Sequence, residues 1–535
     1  MRIRPLTLAL AAALACGAVS GAAADTVTDW NAAILDAIRV DRTNPPRATR
    51  NMALMNASIF DAVNGVAPAY HHFHVAPGAP TGASPEAAAA AAAHRVLSAV
   101  YPAQQAAFDA QLADSLAAVP DGPAKDDGVA WGEEVADAIL ALRADDGSGT
   151  VVDYFVPTGA NWWEPTPPAF APALLPHWGS VAPWCLPSGK QLRVPAPPPL
   201  SSSEYAAAYN EVRVLGDVDS AVRTADQTEI ALFWNDGAGT HTPPGHWNEI
   251  AQTLSAQEGL TLLENARLFA LQGLTVADAA IVSWDNKYHW NHWRPYTGIL
   301  HSDIDGNDQT GPDPGWASLI TTPPFPAYTS GHSTFSGSSS RLLELFLGTD
   351  DVAFSATSDG LPGVTRDFES LSEAAEEAGQ SRIYGGIHWQ YDNSGGLSSG
   401  RALAEHVFFN FLRPLVAPST CAADGDTLCL SGGRFAVEAA WRTAGGDSGP
   451  ATATADTDES GRFWFFNPAN TEVVVKVLDA CGPFDHFWVF ASGLTDVEVR
   501  LTVTDTETGA QRIYFNPQGK DFAPVLDTTA FATCP

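Results

Sequence analysis

Apolar residues recur at helical spacing across most of this chain, and the spacing changes to a two-residue alternation only towards the C-terminal end. From residue 25 to about 415 the helical pattern is interrupted by long stretches rich in proline and glycine. Ser84-Pro85-Glu86 ahead of Ala87–Ala93 is a helix start, with a capping serine and a proline in the first turn. Val129–Leu142 carries apolar residues on one helical face. Further helices are predicted over roughly 203–215, 224–235, 260–292, 332–347, 368–381 and 394–413. Residues 155–200 show no period but hold Trp162, Trp163, Trp178 and Trp184. So many aromatics are rarely left in solvent, so this stretch reads as an ordered loop draped over the helices.

Past a boundary at 416–425 the period becomes two. Val497, Val499, Leu501 and Val503 alternate with Glu498, Arg500, Thr502 and Thr504, the pattern of a strand with one buried face. Arg462–Phe466 and Thr471–Leu478 read as further strands, and Glu507-Thr508-Gly509 as a hairpin turn. The expected fold is mainly α, a helical-bundle domain over 25–415. A small antiparallel β domain, β-sandwich-like, follows over 421–535. The tail carries no catalytic grouping, which leaves it a structural role or the binding of a partner or surface.

Residues 1–24 have the order of a secretory signal peptide: Arg2 and Arg4, an apolar run from Leu6 to Ala15, then small residues to Ala24. Cleavage is expected near Ala24-Asp25, and the location is secreted or periplasmic. Cys16 does not make this a lipoprotein signal, because Ala13 stands where a branched apolar residue is wanted. No later segment has about 18 consecutive apolar residues, so no membrane span is expected. The formal charge is −33 although only 17% of the 535 residues are charged. Such a surface repels nucleic acid and anionic membranes, and any bound anion needs a local cationic pocket. Of the cysteines outside the leader, Cys421, Cys429, Cys481 and Cys534 lie in the tail, which suits two disulfides with Cys185 left over.

Asp303-Ile304-Asp305-Gly306-Asn307-Asp308 resembles the start of a calcium loop. Asp308 stands where glycine is needed and Pro314 where a bidentate glutamate belongs, so calcium is not predicted and an acidic surface loop is.

The chemistry concentrates in the middle of the chain. Lys287 and Arg294 are seven apart on a predicted helix that Pro295 ends, so both should project from one face, among Trp284, Trp290 and Trp293. A buried pair of like charges needs an anion between them. His289 and His292 point roughly 140–200° away from Lys287 on that helix and read as packing or surface histidines. Ser330-Gly331-His332 opens a helix, where free amides and the dipole favour an anion. Gly331 permits close backbone approach, Ser330 adds a hydroxyl or simply caps the helix, and His332 stands ready as an acid or base. Arg382 offers a planar fork. His388 is a nucleophile or a metal ligand, and Asp392, four residues on, orients it.

In this order and at these gaps, Lys287…Arg294-Pro295, Ser330-Gly331-His332 and Ser381-Arg382…His388…Asp392 resemble the signature of the type-2 phosphatidic acid phosphatase and vanadium-dependent haloperoxidase superfamily. Trp284, and the run Pro323-Pro324-Phe325-Pro326-Ala327-Tyr328, resemble the halide-side aromatic positions of its chloroperoxidase branch. Phe233-Trp234-Asn235-Asp236-Gly237 with Thr242-Pro243-Pro244 is similar to that branch too, where an aspartate matching Asp236 supports the arginine and histidine of the site. The resemblance is close over about 224–410 and does not reach the tail. Thr329 departs from it, replacing a proline before the serine, which removes no donor.

The resemblance implies vanadate, with no haem, as cofactor. His388 bonds the metal, while Lys287, Arg294, Ser330, the Gly331 amide and Arg382 hold the oxygens. His332 manages protons, and Lys287 polarises the peroxide. The implied partners are hydrogen peroxide, chloride or bromide, and a small organic acceptor that becomes halogenated. The same pocket in an acid phosphatase has His388 attacking phosphorus and His332 protonating the leaving group. Against that stand the length of the helical region, the lack of membrane helices, and Trp284 with Phe325. A third possibility is a helical domain that binds vanadate or phosphate without turnover, the tail being the working part.

Overall fold

A computed structural model describes residues 25–534; the signal-peptide reading and Cys16 lie outside the described residues. The chain opens with α1 (Thr26–Asp41), α2 (Pro45–Val66), α3 (Pro85–Val100), α4 (Gln105–Ala117) and α5 (Pro123–Leu142). Ser84 caps α3 through a bond from the Ala87 amide, and Pro85 occupies the first turn. The long 151–200 segment follows. Trp163, Trp178 and Trp184 are buried as expected, but Trp162 is 40% exposed. Buried Asp278 pins this loop by accepting the amides of Trp184, Cys185 and Leu186.

The second set comprises α6 (Ser203–Leu215), α7 (Ala225–Phe233), α8 (Thr242–Glu258), α9 (Leu262–Trp290), α10 (Pro295–Leu300) and α11 (Gly331–Leu347). A hairpin of β1 (Phe354–Thr357) and β2 (Thr365–Phe368) precedes α12 (Leu371–Tyr384) and α13 (Gln390–Asn410). Helix α9 is long and apolar enough to cross a membrane by length and composition, yet its most apolar 18-residue stretch is wholly buried in the protein. It is the core helix, packed on α2, α11 and α13.

Three expectations are corrected. The predicted 260–292 helix ends at Trp290, because Asn291 takes the left-handed conformation (φ 50°). Arg294 therefore lies off that helix, as the extended residue ahead of α10, and Pro295 starts a helix rather than ending one. Residue 368 belongs to β2, and α12 begins at Leu371. In the acidic loop Asp305 is turned inward, accepting from the Asn307 amide and the Thr310 hydroxyl.

The tail forms two five-stranded antiparallel sheets around a separate core that includes Phe435, Val437, Phe463, Val489 and Leu501. Strand β10 (Glu498–Asp505) carries the alternation seen in the sequence, and the 507–509 turn leads into β11 (Gln511–Asn516). Disulfides join Cys421 to Cys429 and Cys481 to Cys534; Cys185 is buried and free. The tail rests on α13 through Phe409 stacked on Phe515 at 4.9 Å and Arg413 bonded to the Gln511 carbonyl. It supplies none of the residues described next.

Candidate active site

Small residues set the distance between α11 and α13. A Cβ on Gly400 would come within 2.3 Å of the Thr334 carbonyl oxygen, and one on Gly337 within 2.6 Å of the Leu397 oxygen. Only glycine allows these backbones so close, and the approach brings the start of α11 against the start of α13. The Ser330 amide donates to the Asp392 carbonyl (2.9 Å), and the Ser333 hydroxyl to Asn393 (2.8 Å). The Ser330-Gly331-His332 turn and the His388–Asp392 segment are thereby joined.

His388 is buried and its Nδ1 lies 2.8 Å from Asp392 Oδ2, which also accepts the Trp389 amide (3.0 Å). Burial lowers the His388 pKa far below the ordinary histidine value, and the charges of Arg294, Lys287 and Arg382 push the same way. The ring is thus neutral, with its proton on the Asp392 side. The lone pair sits on Nε2, where Arg294 Nη1 approaches to 3.0 Å. That is the state a nucleophile or metal ligand requires. Burial raises Asp392 itself to about 7, against the lowering effect of the Trp389 amide, Lys287 and Arg294.

Arg294 and Arg382 are fully buried. Arg294 donates through Nε to the Phe325 carbonyl and through Nη1 to the Ile387 carbonyl, both at 2.8 Å. Arg382 donates through Nη1 to the Trp234 carbonyl (2.7 Å). Burial brings Arg294 down to about 9 and Arg382 to about 10, so both stay charged at neutral pH. Burial, then Arg382, holds the His332 pKa well below the usual value, while Asp236 opposes them.

Lys287 reaches this cluster from the last turn of α9, a different element from Arg294. Its ammonium lies 3.1 Å from the Pro326 carbonyl, 3.2 Å from Ala327 and 2.5 Å from Thr329. All three of its protons are so occupied, and it acts on an anion through its charge or by releasing a carbonyl. Its pKa is depressed, chiefly by burial and next by Arg294. Phe325 stands 4.9 Å from the ammonium and 5.0 Å from Trp284, ring to ring.

Several buried polar atoms here have no protein partner: Arg294 Nη2, Arg382 Nε and His332 Nε2. The Gly331 amide, first in α11, has no intrahelical acceptor. A Cβ on Gly331 would meet Phe335 and Trp284 at 3.8 Å and Lys287 Cε at 3.9 Å, ordinary contact distances. Three buried cations face two buried carboxylates, Asp236 and Asp392. Unsatisfied donors, excess positive charge and one neutral imidazole suit a small tetrahedral oxyanion such as vanadate or phosphate. Arg382, His332, Asp236, Phe325 and the α1–α2 turn line a cavity of about 420 Å³, and Lys287, Arg294, Ser330, Gly331 and His388 lie behind its wall rather than in its lining.

The structure thus brings together Lys287, Arg294, Ser330, Gly331, His332, Arg382, His388 and Asp392, with Trp284 and Phe325 beside Lys287. Asp236 is less direct than expected. Its carboxylate bonds His246 Nδ1, 3.3 Å from each oxygen, and no hydrogen bond joins it to Arg382 or His332. His292, on the reversed segment after Asn291, is buried against the Tyr391 hydroxyl (2.6 Å), whereas His289 is exposed. Sequence reasoning missed His246, the Trp234 carbonyl and the three carbonyls around Lys287. Pro243-Pro244 marked the start of α8 and with it a place for His246. Backbone carbonyls carry no side-chain signal.

An oxyanion held here stabilises the folded chain. Orthovanadate or orthophosphate at 100 times its dissociation constant should add about 2.7 kcal/mol to the ligand-free protein. Thermal denaturation with and without the anion checks this, and an unmoved midpoint rejects an oxyanion site.

Residues 267–416 match the family model described as the VCPO second helical-bundle domain. Vanadium chloroperoxidase of Curvularia inaequalis is 29% identical over an alignment that covers 49% of this chain and 56% of that protein, so the chain spans little more than half its relative's length. Among solved structures, one described as the first bacterial vanadium-dependent iodoperoxidase is 28% identical with a TM-score of 0.63, covering 72% of this chain and 95% of the other. A holo bacterial vanadium-dependent chloroperoxidase (TM-score 0.55, 15% identity, 73% and 93% covered) shares the fold. The matched segment runs from α9 to just past α13 and holds Lys287, Arg294, Ser330, His332, Arg382 and His388. By that match and by the mainly helical fold around it, residues 267–416 belong to the VCPO helical-bundle domain of the vanadium haloperoxidase family, and the chain is homologous to vanadium chloro- and iodoperoxidases.

Proposed function

We propose that this protein is a vanadate-dependent haloperoxidase that uses hydrogen peroxide to oxidise chloride or bromide to a hypohalous species, which halogenates small organic molecules. One observation carries the reading: a neutral imidazole, His388, and unpartnered donors of two arginines lie buried with Lys287 and with the Gly331 amide at the start of α11. His388 Nε2 would bond the metal. Arg294 Nη2, Arg382 Nε, the Ser330 hydroxyl and the Gly331 amide would hold the oxygens. Bound vanadate supplies a Lewis acid that activates peroxide towards halide. Asp392 keeps the His388 proton on Nδ1, so the Nε2 lone pair, which faces Arg294 Nη1 in the ligand-free site, is the one that would bond. Lys287 places its charge beside Trp284 and Phe325, a low-dielectric wall that favours a large, weakly hydrated halide over a phosphate ester. His332, neutral and without a partner at Nε2, takes up and returns the protons of peroxide.

The paired disulfides support an oxidising, secreted or periplasmic setting. The same imidazole and cations would also serve a phosphohistidine mechanism, so the decisive experiment is a paired assay. Vanadate-loaded protein receives halide, peroxide and a dye acceptor, and vanadate-free protein receives a chromogenic phosphate ester. Dye halogenation well above ester hydrolysis is expected; the reverse order makes the protein an acid phosphatase, and neither reaction makes it a non-catalytic binder. His332→Ala should slow halide oxidation about 10²–10⁴-fold. It should still retain vanadate, more weakly, by equilibrium dialysis. A variant that fails to fold would instead assign His332 to packing.

A further inference from the structure

Behind the cavity wall lies a second pair of buried histidines that the reaction as derived does not use. His246, in the first turns of α8, is 1% exposed. It is the side-chain partner that the structure gives Asp236. Its ring lies almost parallel to that of Trp234, 4.5 Å between centroids and 28° between planes. The peptide carbonyl of this same Trp234 receives Arg382 Nη1. Asp236 takes a left-handed conformation (φ 45°), which a non-glycine residue adopts only when its surroundings hold it there.

We infer that His246 is a positioning residue for the oxyanion site: its Nδ1 proton holds the Asp236 carboxylate where it balances Arg382 and His332, and its ring buttresses Trp234, whose carbonyl Arg382 binds. The site needs that balance, since an unpaired buried carboxylate takes up a proton and stops offsetting the cations. The titratable groups around His246 are Asp236 from the loop after α7, His241 at the cap of α8, 5.1 Å ring to ring, and Glu249 one turn further along α8. Glu249 Oε2 is 3.1 Å from His241 Nε2, and Asp359 Oδ2 is 3.7 Å from its Nδ1, with Arg39 of α1 bridging the two carboxylates. Across Asp236 stand Arg382 and His332. Although burial alone would raise it, the Asp236 carboxyl is held at about 2, chiefly by His246.

This role rests on the oxyanion-binding reading of the site, and its test separates the two. His246→Phe keeps a ring against Trp234 and removes the donor; His246→Asn keeps a donor near the place of Nδ1. Orthovanadate affinity of the ligand-free protein, by titration calorimetry, should fall about tenfold in His246→Phe and recover in His246→Asn. The acid limb of bromide oxidation should move to lower pH in His246→Phe, because Asp236 no longer lifts His332. Wild-type affinity and an unmoved limb in a folded His246→Phe overturn the role. So does a His246→Asn variant no better than His246→Phe. Where His246→Phe does not fold, His246→Asn against Asp236→Asn decides: near-normal binding in the first with loss in the second supports the role, and equal loss in both overturns it. If the wild type binds no orthovanadate, the functional reading itself fails and the positioning role falls with it.

Discussion

His388→Ala abolishes vanadate retention and halide oxidation together, while the protein keeps its fold. His388 is the imidazole held at Nδ1 by Asp392 with its Nε2 turned to Arg294, whereas His246 faces Asp236. The alanine variant keeps the three cations and still attracts an anion, but nothing bonds its central atom. The anion then exchanges freely with solvent. A turnover loss on the order of 10³-fold or more is expected, since removing the atom that anchors the reacting centre is not compensated by its neighbours. The structural cost is modest. Asp392 retains the Trp389 amide, and its carboxyl, already raised to about 7, can protonate rather than remain a buried unpaired charge. Equilibrium dialysis with orthovanadate, dye bromination and circular dichroism check the three parts. Bromination at the wild-type rate would remove His388 from the site.

The variant also marks what sequence alone could reach. Ser330-Gly331-His332 and His388…Asp392 were legible because each depends on local geometry. One is a helix start, and the other is a four-residue gap spanning a helix start. The strand at Val497–Thr504 was legible for the same reason, since alternation is a local property. The Lys287–Arg294 pair was reached by a route that the structure does not follow. A seven-residue gap read as one helix face, yet Asn291 reverses the chain between them and the two cations converge from separate elements. Asparagine tolerates the left-handed region, so the turn left only a faint mark in Asn291-His292-Trp293-Arg294-Pro295. What stayed hidden is carried by main-chain atoms or by tertiary contact: the Trp234 carbonyl bound by Arg382, the carbonyls around Lys287, and His246 behind Asp236. None of these has a residue type or a spacing of its own.

Lys287→Met should damage both the fold and the chemistry, unlike His388→Ala, because the lysine ties the 326–329 segment to α9. Removing the ammonium strands the carbonyls of Pro326, Ala327 and Thr329 in a buried site, at a cost of about 2–4 kcal/mol by the usual penalty for unsatisfied groups. The Thr329 carbonyl directly precedes Ser330, so the turn that presents the Gly331 amide loosens as well. Halide oxidation should fall about 10²–10³-fold, the scale for losing one pre-aligned charge at an oxyanion. Lys287→Arg does not restore it, because a planar fork cannot direct three donors at carbonyls gathered around one point. Proton linkage gives an independent check. Burial sets the folded-state pKa of Lys287 below its unfolded value, so the unfolded chain binds more protons between those two values. The lysine's contribution therefore makes the ligand-free wild type more stable as pH rises through that window, towards about 10.4. Orthovanadate favours the charged amine and flattens the slope. In Lys287→Met the slope contributed by this group is gone with or without the anion. Chemical denaturation across alkaline pH, with and without orthovanadate, measures the difference, and identical pH slopes in wild type and variant would mean that the lysine stays fully charged in the empty site, its three carbonyls compensating for lost water.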